Sequence, residues 1–224
     1  FLGLIIMKNN KIRLILFYLS ISLSCVEPLI GNSVRPALDK EFPFVVSIVD
    51  KSKDLSSGLP LAQRIFCGGT VVTTKHVLTI ANCLRGKSSQ QLQIFGGSSD
   101  IRLCDSYDVS SWKSYNKWAL ENGASQEYIA YDIAMITLSG NINQARIQPV
   151  LISPKPVNYF YGKIGTLVGW GDTIDGSTPE IMQTSSVRIL NMEECTAMAM
   201  STGTKVKIQN RKLLCSDVDP YVAK

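Results

Sequence analysis

The stretch Cys67-Gly68-Gly69-Thr70-Val71-Val72-Thr73-Thr74-Lys75-His76-Val77-Leu78-Thr79-Ile80-Ala81-Asn82-Cys83 decides how this chain is read. Two short β-branched runs, Thr70 to Thr73 and Val77 to Thr79, lie between cysteines 16 residues apart. Such runs favour strands over helices. The pattern repeats outward in both directions. Phe44 to Val49 is bounded by Pro43 and Asp50, and Leu92 to Phe95 ends at Gly96-Gly97. Ile133 to Leu138 ends at Ser139-Gly140, and Gly165 to Gly169 runs into a turn at Trp170-Gly171-Asp172. Gln183 to Leu190 comes close to strict alternation. Many short strands between Gly, Pro, Asn and Ser turns predict an all-β sandwich or barrel. One helix is expected after Asn191, a good N-cap, with Glu193 and Glu194 in its first turn.

Composition narrows the class further. Of 224 residues, 45% are apolar and 18% charged, enough apolar material for a core. The 23 basic and 18 acidic residues leave +5, and without residues 1–28 the balance falls to +3. A charge this small does not point to nucleic acid. The cluster Lys205, Lys207, Arg211 and Lys212 reads as a solvated loop, with docking to an acidic partner as the other reading. Residues 1–6 precede a plausible start at Met7 and read as leader residues outside the fold. Residues 7–28 read as a secretory signal and short pre-segment. A basic head, Lys8 to Arg13, precedes an apolar run, Leu14 to Ser24, and the small residues Ser22 and Ser24. That run has 11 residues, too few to span a bilayer as a helix, so no membrane span is expected. Export implies an oxidising compartment in which the six cysteines, Cys25, Cys67, Cys83, Cys104, Cys195 and Cys215, tend to pair. No C-x-x-C occurs and the single histidine, His76, is not at a ligand-like spacing, so neither a metal nor a cofactor is expected.

Several blocks together resemble one family, the chymotrypsin- and trypsin-like serine peptidases (peptidase S1). Cys67-Gly68-Gly69-Thr70 and His76 to Cys83 look like its CGGS and WVLTAAHC. Tyr131-Asp132-Ile133-Ala134-Met135-Ile136-Thr137-Leu138 is similar to NDIALLKL, and Val168-Gly169-Trp170-Gly171 to TGWG. Leu29-Ile30-Gly31-Asn32 with Phe42-Pro43-Phe44 resembles IVGG with YPYQ, and Leu214-Cys215 the MLCAG strand. The blocks run in order from about residue 29 to residue 215. The resemblance implies two antiparallel β-barrels: a first at about 29–147 and an incomplete second at about 148–224. It implies a mature N-terminus at Leu29 and disulfides Cys67–Cys83 and Cys195–Cys215. Cys104 has no family partner in the chain and is left to Cys25 or to a cysteine beyond residue 224.

The resemblance also implies a Ser–His–Asp triad whose Asp falls on Asp132. Its His falls on Asn82, a departure that decides the functional expectation. A triad histidine takes the nucleophile's proton and returns it to the leaving amine, which a carboxamide cannot do. The Asn82 NH₂ is instead expected to donate to Asp132. His76 stands where the family usually has Trp and reads as a partly buried aromatic substitute. Pro28 replaces the basic residue after which the family is activated. The GDSGGP block with the nucleophilic Ser would follow residue 224, so the end reads as a fragment boundary and the last sheet edge is expected to stand unpaired. These readings imply a secreted, extracellular homologue without peptidase activity that binds a protein partner, as a cofactor or decoy in a protease cascade or venom. Two alternatives stay open: an active serine endopeptidase with a sequence error at Asn82, and a structural or inhibitory module.

Overall fold

The computed structural model describes residues 4–9, 12–17, 34–53, 58–124, 131–172, 177–201 and 214–217, the first two segments as backbone only. The basic cluster at 205–212, the expected N-terminus at Leu29 and Cys25 lie outside these residues.

Six strands close into an antiparallel barrel. They are β4 (Val45–Asp50), β5 (Ile65–Val71), β6 (His76–Thr79), β7 (Leu92–Gly96), β8 (Asp105–Ser114) and β9 (Ala134–Leu138), joined in the order β4-β5-β6-β9-β8-β7. Inward residues of five strands fill the barrel: Val46, Ile48, Val71, Val77, Leu92, Ile94, Ile136 and Leu138 are all essentially buried, and β8 adds Val109. Val46 pairs with Gly69 on one side and Gly96 on the other. A Cβ at Gly69 would stand 2.6 Å from a Val77 methyl, and one at Gly96 2.6 Å from a Val46 methyl. Gly69 thus makes room chiefly for Val77, and Gly96 for Val46.

A second antiparallel sheet has the order β12-β11-β10-β1-β2, with β3 (Arg35–Pro36) pairing with β11. Its strands are β10 (Ile164–Gly169), β11 (Gln183–Leu190) and β12 (Cys215–Asp217), joined by β1 (Leu4–Asn9) and β2 (Ile12–Phe17). β1 and β2 extend the sheet past β10, so among the described residues its open edges are β12 and β2. β1 pairs with β10 from Leu4↔Val168 to Ile6↔Thr166, and β2 turns back on β1. Ile12, Leu14, Ile15, Leu16 and Phe17 suit a strand as well as the apolar run of a signal, because short apolar runs carry no periodicity that separates the two. An edge strand offers unpaired N–H and C=O groups to any such segment.

Three α-helices and several 3-10 turns complete the described fold; the α-helices are α1 (Ala81–Leu84), α2 (Tyr115–Glu121) and α3 (Met192–Ser201). α3 starts where expected. The Asn191 side chain accepts from the Glu194 N–H at 2.9 Å, and the Glu194 carboxylate accepts from the Asn191 N–H at 3.0 Å. This is a reciprocal capping box. The barrel and the second sheet share a core of Ala37, Phe44, Val45, Ile101, Val150, Val168, Trp170 and Met182. Across that seam the Trp170 indole N–H donates to Ser99 O at 3.1 Å, and the Met182 N–H to the same oxygen at 2.8 Å.

Candidate functional site

The barrel's hydrogen-bond register builds the site. Thr79, the last residue of β6, pairs with Ala134, the first of β9. Asn82 lies just beyond one strand end and Asp132 just before the other, so two residues 50 apart in sequence meet. Asp132 Oδ1 accepts a hydrogen bond of 2.7 Å from the backbone N–H of Asn82. This corrects the expectation that the Asn82 side chain would be the donor. The first N–H groups of a helix have no intrahelical acceptor, and Ile80 at the N-cap of α1 supplies no side-chain bond. Asp132 caps α1 from a neighbouring strand. The Asn82 side chain is left exposed, while Asp132 is half-buried.

Two further ties fix this corner. Cys67 and Cys83 form a disulfide with Cα atoms 6.2 Å apart, fastening α1 to β5. The Thr79 hydroxyl donates to Gly68 O at 2.9 Å beside it. Three aromatic rings stand behind Asp132. Tyr131 lies 4.1 Å from Tyr115 between centroids, and Tyr115 5.8 Å from Trp118. The Tyr115 N–H donates to Ile133 O, which ties α2 to this corner. Sequence reading missed these rings, because α2 carries no strong periodic signal and the stack joins residues 16 apart.

His76 is where the sequence placed it, half-buried at the opposite end of β6 and facing Thr137 across the ladder. Its Nδ1 lies 2.7 Å from the Thr73 hydroxyl. Three strand residues, about 10 Å, separate it from Thr79. The second expected disulfide, Cys195–Cys215, has formed with Cα atoms 5.9 Å apart and ties α3 to β12. Cys104 is unpaired. Burial pushes its thiol up to about 11, although the Ser98 carbonyl accepts from Sγ at 3.4 Å. Such a thiol is inert at neutral pH, since only the thiolate reacts. Among the described residues no three His, Cys, Asp or Glu side chains are grouped to hold a metal, and no helix is long and apolar enough to cross a membrane.

A sequence profile described as Trypsin matches residues 32–221, which takes in the barrel, β3 and β10 to β12 of the second sheet, and the Asn82–Asp132 corner, but not β1 and β2. The chain belongs to the trypsin family. Its members similar to this chain include Trypsin beta of Drosophila erecta, 30% identical over 63% of this chain and 54% of that protein. Chymotrypsin-2 of Vespa crabro is 30% identical over 60% of this chain and 59% of that protein. Ovochymase-2 of Mus musculus is 25% identical over 78% of this chain and 27% of that protein. The chain spans about half the length of the trypsins it matches. Among solved structures, human heparin binding protein superposes with a TM-score of 0.54 over 72% of this chain and 67% of that one, at 20% identity. That likeness establishes the trypsin-like fold.

Proposed function

We propose that this trypsin-family chain is a secreted serine-protease homologue that does not cleave peptide bonds, and that it works by binding a protein partner as a cofactor or decoy. The observation that carries the reading is Asn82. In the block from His76 to Cys83 it occupies the position that the family gives to the general base. A side chain with no proton to exchange near neutral pH cannot activate a nucleophile. Loss of the base in a comparable triad lowers turnover by about 10⁶-fold. The geometry is compatible with this role. Asp132 is satisfied by a backbone donor, so the corner keeps its shape whichever side chain stands at 82. The signal-like residues 7–28 support export; cleavage before Leu29 would remove β1 and β2 and leave β10 without a partner on that side.

The alternative, an active endopeptidase, is favoured by the naming of similar proteins as trypsins and a chymotrypsin. One experiment separates the two. The native secreted protein is incubated with chromogenic peptides and with a serine-directed phosphonate. Neither turnover nor covalent labelling is expected. Turnover that the phosphonate abolishes would overturn the proposal.

A further inference from the structure

The stretch from residue 133 to residue 171 contains no aspartate or glutamate, and its only cations are Arg146, Lys155 and Lys163. Arg146 is engaged with the Asp105 carboxylate and Leu103 O. The two lysines have no carboxylate partner among the described residues and converge on one ring. The Lys163 ammonium lies 3.4 Å from the Tyr159 centroid, and the Lys155 ammonium 5.4 Å from it. Two like charges held on one ring repel each other and are not neutralised by the ring quadrupole. The backbone holds them there. Pro154 and Pro156 flank Lys155, whose N–H donates to the Ser153 hydroxyl at 3.1 Å. Tyr159 stands edge-on to the fully buried Phe160 at 5.1 Å. The Lys163 N–H donates to Phe160 O, and the Gly162 N–H to Ile189 O on β11. The carboxylates of Glu194 and Asp217, on the helix and strand beside β11, are engaged with Arg188.

The same segment exposes large apolar side chains: Leu151 at 77%, Ile152 at 52% and Ile164 at 60%. We propose that this ledge, Leu151 to Ile164, docks on anionic lipid surfaces. Lys155 and Lys163 meet headgroup phosphates, while Tyr159 and the exposed aliphatic residues enter the interfacial layer. Tyrosine with an apolar body and a wet tip, lysine with an apolar stem, and exposed isoleucine together suit a lipid interface. A sulfated polysaccharide offers charge to the lysines and nothing to Ile152 or Ile164.

The test is co-sedimentation of the native secreted protein with phosphatidylcholine vesicles, with and without phosphatidylserine. At about 1 kcal/mol per lysine near an anionic surface, the two lysines give roughly 30-fold tighter binding to the anionic vesicles. Lys155→Gln with Lys163→Gln removes this preference, and Ile164→Ser weakens binding while the salt dependence stays. Lys155 and Ile164 are exposed and Lys163 half-buried, and unchanged circular dichroism shows that the variants fold. Equal binding to both vesicles, or a preference that survives the double lysine variant, overturns the proposal. So does absence of vesicle binding with heparin retention that the same two substitutions abolish, which would assign the ledge to a polysaccharide.

Discussion

Asp50 shows how one buried charge is kept at the residue scale. Its side chain is almost wholly inside, yet the Lys87 ammonium reaches Oδ2 at 2.6 Å and the Ser52 N–H reaches Oδ1 at 2.9 Å. Burial by itself pushes this carboxyl up. The Lys87 and Ser52 bonds outweigh it and bring it down to about 2, against 3.8 when free. A carboxyl lowered on folding stabilises the protein above its free value, and that contribution is lost as pH falls from about 4 through 2. The pair thus contributes about 2 kcal/mol at neutral pH. Urea unfolding is expected to weaken over that acid range in the native chain. Asp50→Asn is expected to be less stable by about 2 kcal/mol at pH 7 and to show a flatter acid limb. An equally steep limb in the variant would assign the acid loss to other groups. Neither partner was legible in the sequence as a pair, since they are 37 residues apart.

At the scale of elements, α3 was the best-signalled helix. Asn191 and Glu194 sit at N-cap spacing, and both bonds of the box form. Asn191→Ala is expected to cost about 1 kcal/mol, read as a lower thermal midpoint with the far-UV spectrum retained. No change in midpoint would show that the Cys195–Cys215 disulfide holds the helix without its cap. β8 is the contrasting case. Its ten residues, Asp105 to Ser114, carry one buried side chain, Val109, and only three apolar ones, Tyr107, Val109 and Trp112, whose alternation is broken by the bulge after Val109. Its place comes from its neighbours, since β7 and β9 each pair with it to close the barrel.

At the scale of the whole molecule, Trp170 joins the two halves. Its ring is 4% exposed in the shared core and its N–H holds Ser99 O across the seam. Trp170→Ala is expected to cost about 3–5 kcal/mol, as for other large core truncations. It is also expected to broaden calorimetric unfolding, because the barrel keeps its own core of Val46, Ile48, Ile94 and Ile136 when the shared core is weakened. A single sharp transition with a small shift would show that the halves are coupled elsewhere.

The sequence by itself determined the family, the all-β class, both described disulfides and the start of α3. Each is written locally, as a run of β-branched residues, a cysteine spacing within a familiar block, or a cap three residues from its partner. It also placed Asn82 and Asp132 at one corner, because both lie in blocks whose fold is known. Only the tertiary structure decided how they meet. The bond from the Asn82 backbone depends on α1 starting where β9 delivers a carboxylate, and that is a matter of barrel register. The Tyr115–Tyr131–Trp118 stack, the Asp50–Lys87 pair and the two lysines on Tyr159 were likewise settled by packing. The course of residues 4–17 was settled by pairing, since an apolar run carries no record of which strand edge it will meet.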